Sequence, residues 1–174
     1  MDFKNYIPHQ AFPIITKWIN EININVQFVN SRKTKLGDYQ FRNNQHFITV
    51  NNNLNKYAAL ITLTHEIAHA FTFAEFGKTI KPHAIQWKEN FKKLMLTFFD
   101  YNIFPDEVLS ALSRYLINPS ASTANDEFLS LISISVSKAE LIKPNSDIKP
   151  TEVVKIQLIG LQKNDLAYKD SGIE

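Results

Sequence analysis

The chain contains no cysteine. That absence excludes disulfides, thiolate nucleophiles and cysteine-ligated zinc ribbons. Charge of one sign is also missing: 19 Lys and Arg face 17 Asp and Glu, a formal net charge of +2. So even a balance gives no compositional argument for nucleic-acid binding. The opening residues, Met1-Asp2-Phe3-Lys4-Asn5-Tyr6, lack a basic segment followed by an apolar one. No secretory signal is therefore expected, and a cytoplasmic location is. The most apolar window, Tyr57 to Phe76, is interrupted by His65, Glu66, His69 and Glu75. It reads as a buried helix rather than a membrane span. No internal repeat or low-complexity tract stands out.

What is present is core-forming material. Hydrophobic residues make up 44% of the 174, with thirteen Phe and two Trp, enough for one domain with a sizeable core. Phe12, Ile15, Trp18, Ile19 and Ile22 recur at helical spacing, which predicts a first helix starting near Pro8 or Pro13. From Ile22 to Phe28 apolar and polar residues alternate strictly, the period of a half-buried strand. Residues 30–35 are polar and basic and read as a loop. Gly37 to Arg42 and His46 to Asn51 read as two more strands, with Asn43-Asn44-Gln45 as the turn between them. Asn53 or Asn55 can cap a second helix over about Leu54 to Phe76, which Gly77 stops. Pro82 suits the first turn of a third helix, over about His83 to Phe99. Pro105-Asp106-Glu107 opens a fourth, which Asn118-Pro119-Ser120 ends.

The texture changes after Ser120. Leu129 to Val136 fits a strand or a helix, Glu152 to Leu161 a strand, and the residues from Gln162 onward are polar. The expected organisation is a domain over residues 1–120 and a small β-rich extension over 121–174. The domain is expected to be α+β, with a small antiparallel three-stranded sheet packed on a helical layer.

The second helix carries Thr64-His65-Glu66-Ile67-Ala68-His69, an H-E-x-x-H motif. Histidines at i and i+4 leave one helix face about one turn apart, which suits both imidazoles to one zinc ion. Glu66 then lies beside the metal without ligating it, where it can act as a general base. A hydrolytic zinc needs a third protein ligand from another element. His83, just past the loop after the helix, is the leading candidate; Glu75 and Glu89 are weaker ones. His9 lies too near the N-terminus to place. His46 falls on a strand beside the cleft, as a candidate substrate contact. The third strand is expected to offer its edge to an extended peptide. Arg32, Lys33, Lys35 and Arg42 surround the hairpin and are candidates for binding phosphates, against the simpler reading of a solvated basic loop.

Four stretches, taken together, resemble a known family. They are Ser31-Arg32-Lys33-Thr34-Lys35-Leu36-Gly37-Asp38-Tyr39, Ile48-Thr49-Val50-Asn51, His65-Glu66-Ile67-Ala68-His69 and His83-Ala84-Ile85-Gln86-Trp87. In this order they resemble the SprT-like metallopeptidase domain, whose relatives include the eukaryotic protease Spartan. Asn118-Pro119-Ser120-Ala121-Ser122 is similar to a segment following the last helix in bacterial members of Bacteroidetes type. The resemblance implies a zincin-like fold, one Zn2+ on His65, His69 and His83, and Glu66 as general base. It further implies zinc-dependent hydrolysis of peptide bonds in protein or peptide substrates, including DNA-associated proteins. Ala84 stands where the family often has glycine, and the cysteine-rich tail of many relatives is absent. The rival reading is a non-catalytic SprT-like zinc module that binds DNA or a protein partner.

Overall fold

The structure, a computed structural model, describes residues 3–101, 103–117 and 119. The elements expected over Leu129 to Val136 and Glu152 to Leu161, and with them the C-terminal extension, lie outside the described residues. Helix α1 spans Phe12–Glu21, after a 3-10 turn at His9–Ala11, with Pro13 in its first turn and Ile15 and Trp18 buried. Asn23 takes a φ of 53°. That left-handed residue ends the helical path, so strand β1 begins at Ile24 and runs Ile24–Val29, two residues later than the alternation alone suggests. Strands β2, Gly37–Arg42, and β3, Gln45–Asn51, form a hairpin. Asn43 and Asn44 both have positive φ, 50° and 57°. Two left-handed residues in succession give the turn whose twist matches that of the strands.

The sheet is mixed, and this corrects the expected antiparallel order. The strand order is β1-β3-β2. β2 pairs antiparallel with β3, but β1 pairs with β3 in parallel, from Ile24↔His46 to Val29↔Asn51. β3 is therefore central and has no free edge; the edges are β1 and β2. The physical reason lies in residues 30–36, which cross the end of β3 instead of folding back beside β1. Asn51, 1% exposed, holds that crossing. Its Nδ2 donates to the carbonyls of Arg32 (3.1 Å) and Lys35 (3.0 Å). Its backbone N–H donates to Leu36 at 2.8 Å. Arg32 returns the contact: Nε donates to Asn51 Oδ1 at 2.9 Å and Nη1 to Thr49 Oγ1 at 2.9 Å.

Helix α2, Lys56–Phe76, is the centre of the domain. Asn55 caps it, its side chain accepting from the N–H groups of Tyr57 and Ala58. Every residue from Ala58 to Ala68 is buried, so this stretch of the helix has no solvent face and must be enclosed on all sides. The sheet covers one flank through β2 and β3, and helix α3, Ile85–Thr97, covers another. The polar side chains this burial traps are partly satisfied inside the helix. Thr64 and Thr72 donate to the carbonyls of Leu60 and Ala68. Gly77, at φ 72°, ends α2 in a conformation that costs glycine least.

Pro82 does not open α3. His83 has a φ of 61°, which no helix accommodates, and Ala84 is the N-cap, at φ −64° and ψ 176°. That extended backbone is open to any L-residue, so alanine is unstrained there. Helix α4, Asp106–Ile117, closes the core with Val108, Leu109, Leu112 and Leu116. No helix among the described residues is long and apolar enough to cross a membrane.

Replacing Asn51 with Ala removes both side-chain donors from the crossing and orphans the Arg32 Nε–H. We expect a loss of about 1–3 kcal/mol of stability, seen as a lower urea midpoint at unchanged slope. A midpoint equal to that of the wild type would show that the crossing holds without it.

Candidate metal centre

His65 and His69 project from the same face of α2, and the left-handed His83 turns its ring toward them from the segment before α3. The positive φ is uncommon for a residue with a side chain. Its position between Pro82 and the α3 N-cap makes it the bend that aims the ring back at α2. Among the described residues, these three form a group able to hold a metal ion. Their Nε2 atoms make a near-equilateral triangle: 3.1 Å from His65 to His83, 3.3 Å from His65 to His69 and 3.0 Å from His69 to His83.

Three imidazole nitrogens this close cannot all satisfy one another, since each brings one proton or one lone pair. A shared cation satisfies three lone pairs at once. A tetrahedral ion with bonds of about 2.0–2.1 Å holds its nitrogens roughly 3.3–3.4 Å apart, close to the triangle observed. The rings are also in the right protonation state. Burial, then the neighbouring His69 and His83, pushes His65 down to about 2. Burial and His83 push His69 down to about 3. Burial, then Lys88, lowers His83. All three stay neutral, with lone pairs available, at ordinary pH.

Trp87 is the platform under the cluster. It is fully buried, and its ring centroid lies 4.5, 5.2 and 4.6 Å from those of His65, His69 and His83. Its Nε1 donates to the His65 carbonyl at 3.4 Å, and its ring stacks on Phe91. On the sheet side, Tyr39 of β2 lies parallel to His69 with centroids 6.1 Å apart. The Tyr39 hydroxyl is hydrogen-bonded to His46 Nδ1 at 2.9 Å, and burial raises its pKa.

Glu66 is 7% exposed, on the helix flank toward the start of β2. Gly37 lies against it: a Cβ at residue 37 would sit 2.5 Å from Glu66 Oε1 and 2.8 Å from Glu66 Cγ. Burial pushes Glu66 up to about 8; Asp38 adds to the rise, and Arg32 and Lys35 oppose it. A cleft of about 280 Å³ opens beside His69 and His83, lined also by Tyr39, Phe73, Ile80 and Trp87.

The remaining sequence candidates fall elsewhere. His46 is buried among Tyr39, Phe41 and Phe73, one residue behind the cleft wall. Glu75 and Glu89 are exposed and outside the cluster, as is His9. Arg32 commits its guanidinium to Thr49 and Asn51. Lys35 pairs with Asp38 at 2.8 Å, Arg42 lies over the Phe47 ring, and Lys33 is exposed. Sequence reasoning missed Trp87, Tyr39 and Gly37 as site residues. The signal for Trp87 was its place in the stretch His83-Ala84-Ile85-Gln86-Trp87, which carries the family resemblance.

Two measurements test the cluster. His83→Ala should lower metal affinity by at least 100-fold while leaving the far-ultraviolet dichroism intact, since the residue lies outside any helix; unchanged affinity would remove it from the site. The second concerns pH in metal-free protein. The histidines titrate lower in the fold than their ordinary 6.5, so the folded state binds fewer protons and stability falls as pH drops below that value. Glu66 titrates higher than its ordinary 4.5, so its contribution is full below 4.5 and is lost as pH rises toward 8. Together these limbs place the stability maximum at about pH 7. A melting temperature that rises throughout from pH 5 to 9 would contradict the Glu66 shift, and one that falls throughout would contradict the histidine shifts.

Comparison with known proteins agrees with the geometry. Curated proteins and solved structures gave no match. The family model described as SprT-like matches residues 10–106, more than half of the chain and every element from α1 to the start of α4, including all three histidines and Glu66. The chain belongs to the SprT-like family.

Proposed function

We propose that the domain is a zinc-dependent metalloendopeptidase of the zincin type, holding one Zn2+ on His65, His69 and His83 with Glu66 as general base. The observation that carries this reading is the Nε2 triangle of 3.0–3.3 Å edges one residue from a buried carboxyl group. Three nitrogen donors leave a tetrahedral ion one position for water or substrate, whereas a structural site would be closed by a fourth protein ligand. The bound zinc would supply Lewis-acid polarisation of the scissile carbonyl and a lowered pKa for the attacking water.

The chain's own residues do the rest. Glu66 accepts the proton of the attacking water and returns it to the leaving amine. Its burial keeps bulk water from competing, and its raised proton affinity suits it to hold that proton between the two transfers. Trp87 fixes the three imidazoles from below, so little ordering remains when substrate arrives. An extended peptide can pair with the outer edge of β2, which passes Glu66 at Gly37 and His69 at Tyr39, while one of its side chains enters the adjoining cleft. DNA-associated proteins stay within the substrate class, and the cytoplasm is the location that fits. With Arg32 held by Thr49 and Asn51 and Lys35 paired at the surface with Asp38, the basic hairpin offers Lys33 and Arg42 to a phosphate backbone.

Glu66→Gln tests the mechanism. It should keep one equivalent of zinc and lower kcat on an unfolded protein substrate by about 10²–10⁴-fold. If wild-type protein loaded with zinc cleaves neither unfolded nor DNA-bound proteins, the non-catalytic module becomes the better reading.

A further inference from the structure

The start of β2 meets the motif helix more closely than any side chain at residue 37 would allow. A Cβ there would sit 2.5 Å from Glu66 Oε1, 2.8 Å from Glu66 Cγ and 2.9 Å from Thr62 Cγ2. Real Cβ atoms do not approach other atoms so closely, so glycine is required here by space. The backbone needs nothing unusual: Gly37 is not among the positive-φ residues. Gly37 is also fixed from its own side. It pairs with Val50 in the β2–β3 ladder, and the residue before it is tied to Asn51 through the Asn51 N–H to Leu36 carbonyl bond. Asn51 and Arg32 lock the same crossing by five further hydrogen bonds.

The strand therefore cannot retreat, and the opposing Glu66 Oε1 is the free end of a side chain. A side chain at residue 37 would therefore displace the Glu66 carboxyl group first, and Thr62 Cγ2, 2.9 Å away, would have to give with it. We propose that Gly37 is a positioning residue for Glu66: its bare backbone is the wall that sets where the carboxyl group stands, and the Arg32–Asn51 lock keeps that wall in place. The proposal deepens the peptidase reading and rests on Glu66 acting as its base. It also gives Arg32 a role inside the domain.

Gly37→Ala, in the full chain loaded with zinc, tests it. The expected result is a kcat at least 30-fold below wild type, with KM within threefold, one equivalent of zinc retained and a cooperative melt. Arg32→Gln, which loosens the lock without adding an atom at residue 37, should lower kcat by a smaller factor at the same zinc content. A second readout needs no activity. In metal-free protein, the side-chain carboxyl carbon resonance of Glu66, assigned by its loss in Glu66→Gln, should move in Gly37→Ala. If that resonance stays in place, or if kcat stays within threefold of wild type, Gly37 does not position Glu66. A kcat loss matched by an equal loss of zinc or of folded protein would also overturn the proposal, by making the effect general. Should wild type itself cleave nothing, the peptidase reading fails, and the resonance still decides whether Gly37 sets the Glu66 carboxyl.

Discussion

Ionisable groups inside a fully enclosed helix constrain everything else in this domain. From Ala58 to Ala68 every residue of α2 is buried, and that stretch carries His65 and Glu66. Burying an unpaired charge is expensive, so such groups either neutralise or find a counter-charge. Here they neutralise, the imidazoles by losing the proton and the carboxyl by keeping it. The apolar enclosure that stabilises the helix and the chemistry of its motif thus have one cause. Opening the helix to water would weaken the core and also return every group of the motif to its ordinary ionisation.

The sheet contributes less as a surface than as a fixed edge. A parallel β1–β3 pair needs a connection that leaves one side of β3 and returns on the other. The carbonyls of that connection need donors, which Asn51 supplies. This crossing brings Gly37 to the helix and puts Arg32, Lys35 and Asp38 near the Glu66 carboxyl, where their charges register on it. The basic stretch before β2 is therefore tied to the motif helix by geometry as well as by charge.

How much of this the sequence discloses follows from the range of each interaction. The strand alternation, the Asn43-Asn44 turn, the Asn55 cap and the H-E-x-x-H spacing are local, and each was legible within a few residues. Helix α2 was legible because its apolar run is long, and its enclosure on all sides followed from that run. Strand order was not legible. The alternating patterns of β1 and β3 are the same whether the two pair in parallel or antiparallel, and the deciding contacts join Asn51 to residues more than ten positions away. The start of α3 was misjudged because Pro82 favours a first helical turn, while the neighbouring His83 adopts a positive φ that only tertiary contacts select. Gly37 stood out only through the family resemblance, in the stretch Ser31 to Tyr39. As the first residue of an expected strand it gave no sign of the carboxyl group that faces it.

The charge balance of the site follows from the same burial. Three neutral imidazoles and one protonated carboxyl make an uncharged cluster, which the low-dielectric interior tolerates. A divalent cation held by the imidazoles would add two positive charges beside the helix turn that carries Glu66, and in such surroundings that field is weakly screened. Ionisation of Glu66 is the available response within α2, because it offsets part of the added charge without moving the backbone. The raised proton affinity of Glu66 without metal and the carboxylate that the proposed mechanism needs with it would then be two states of one electrostatic balance. Gly37 matters to both, since a carboxyl group can respond to a nearby field only as strongly as its distance allows.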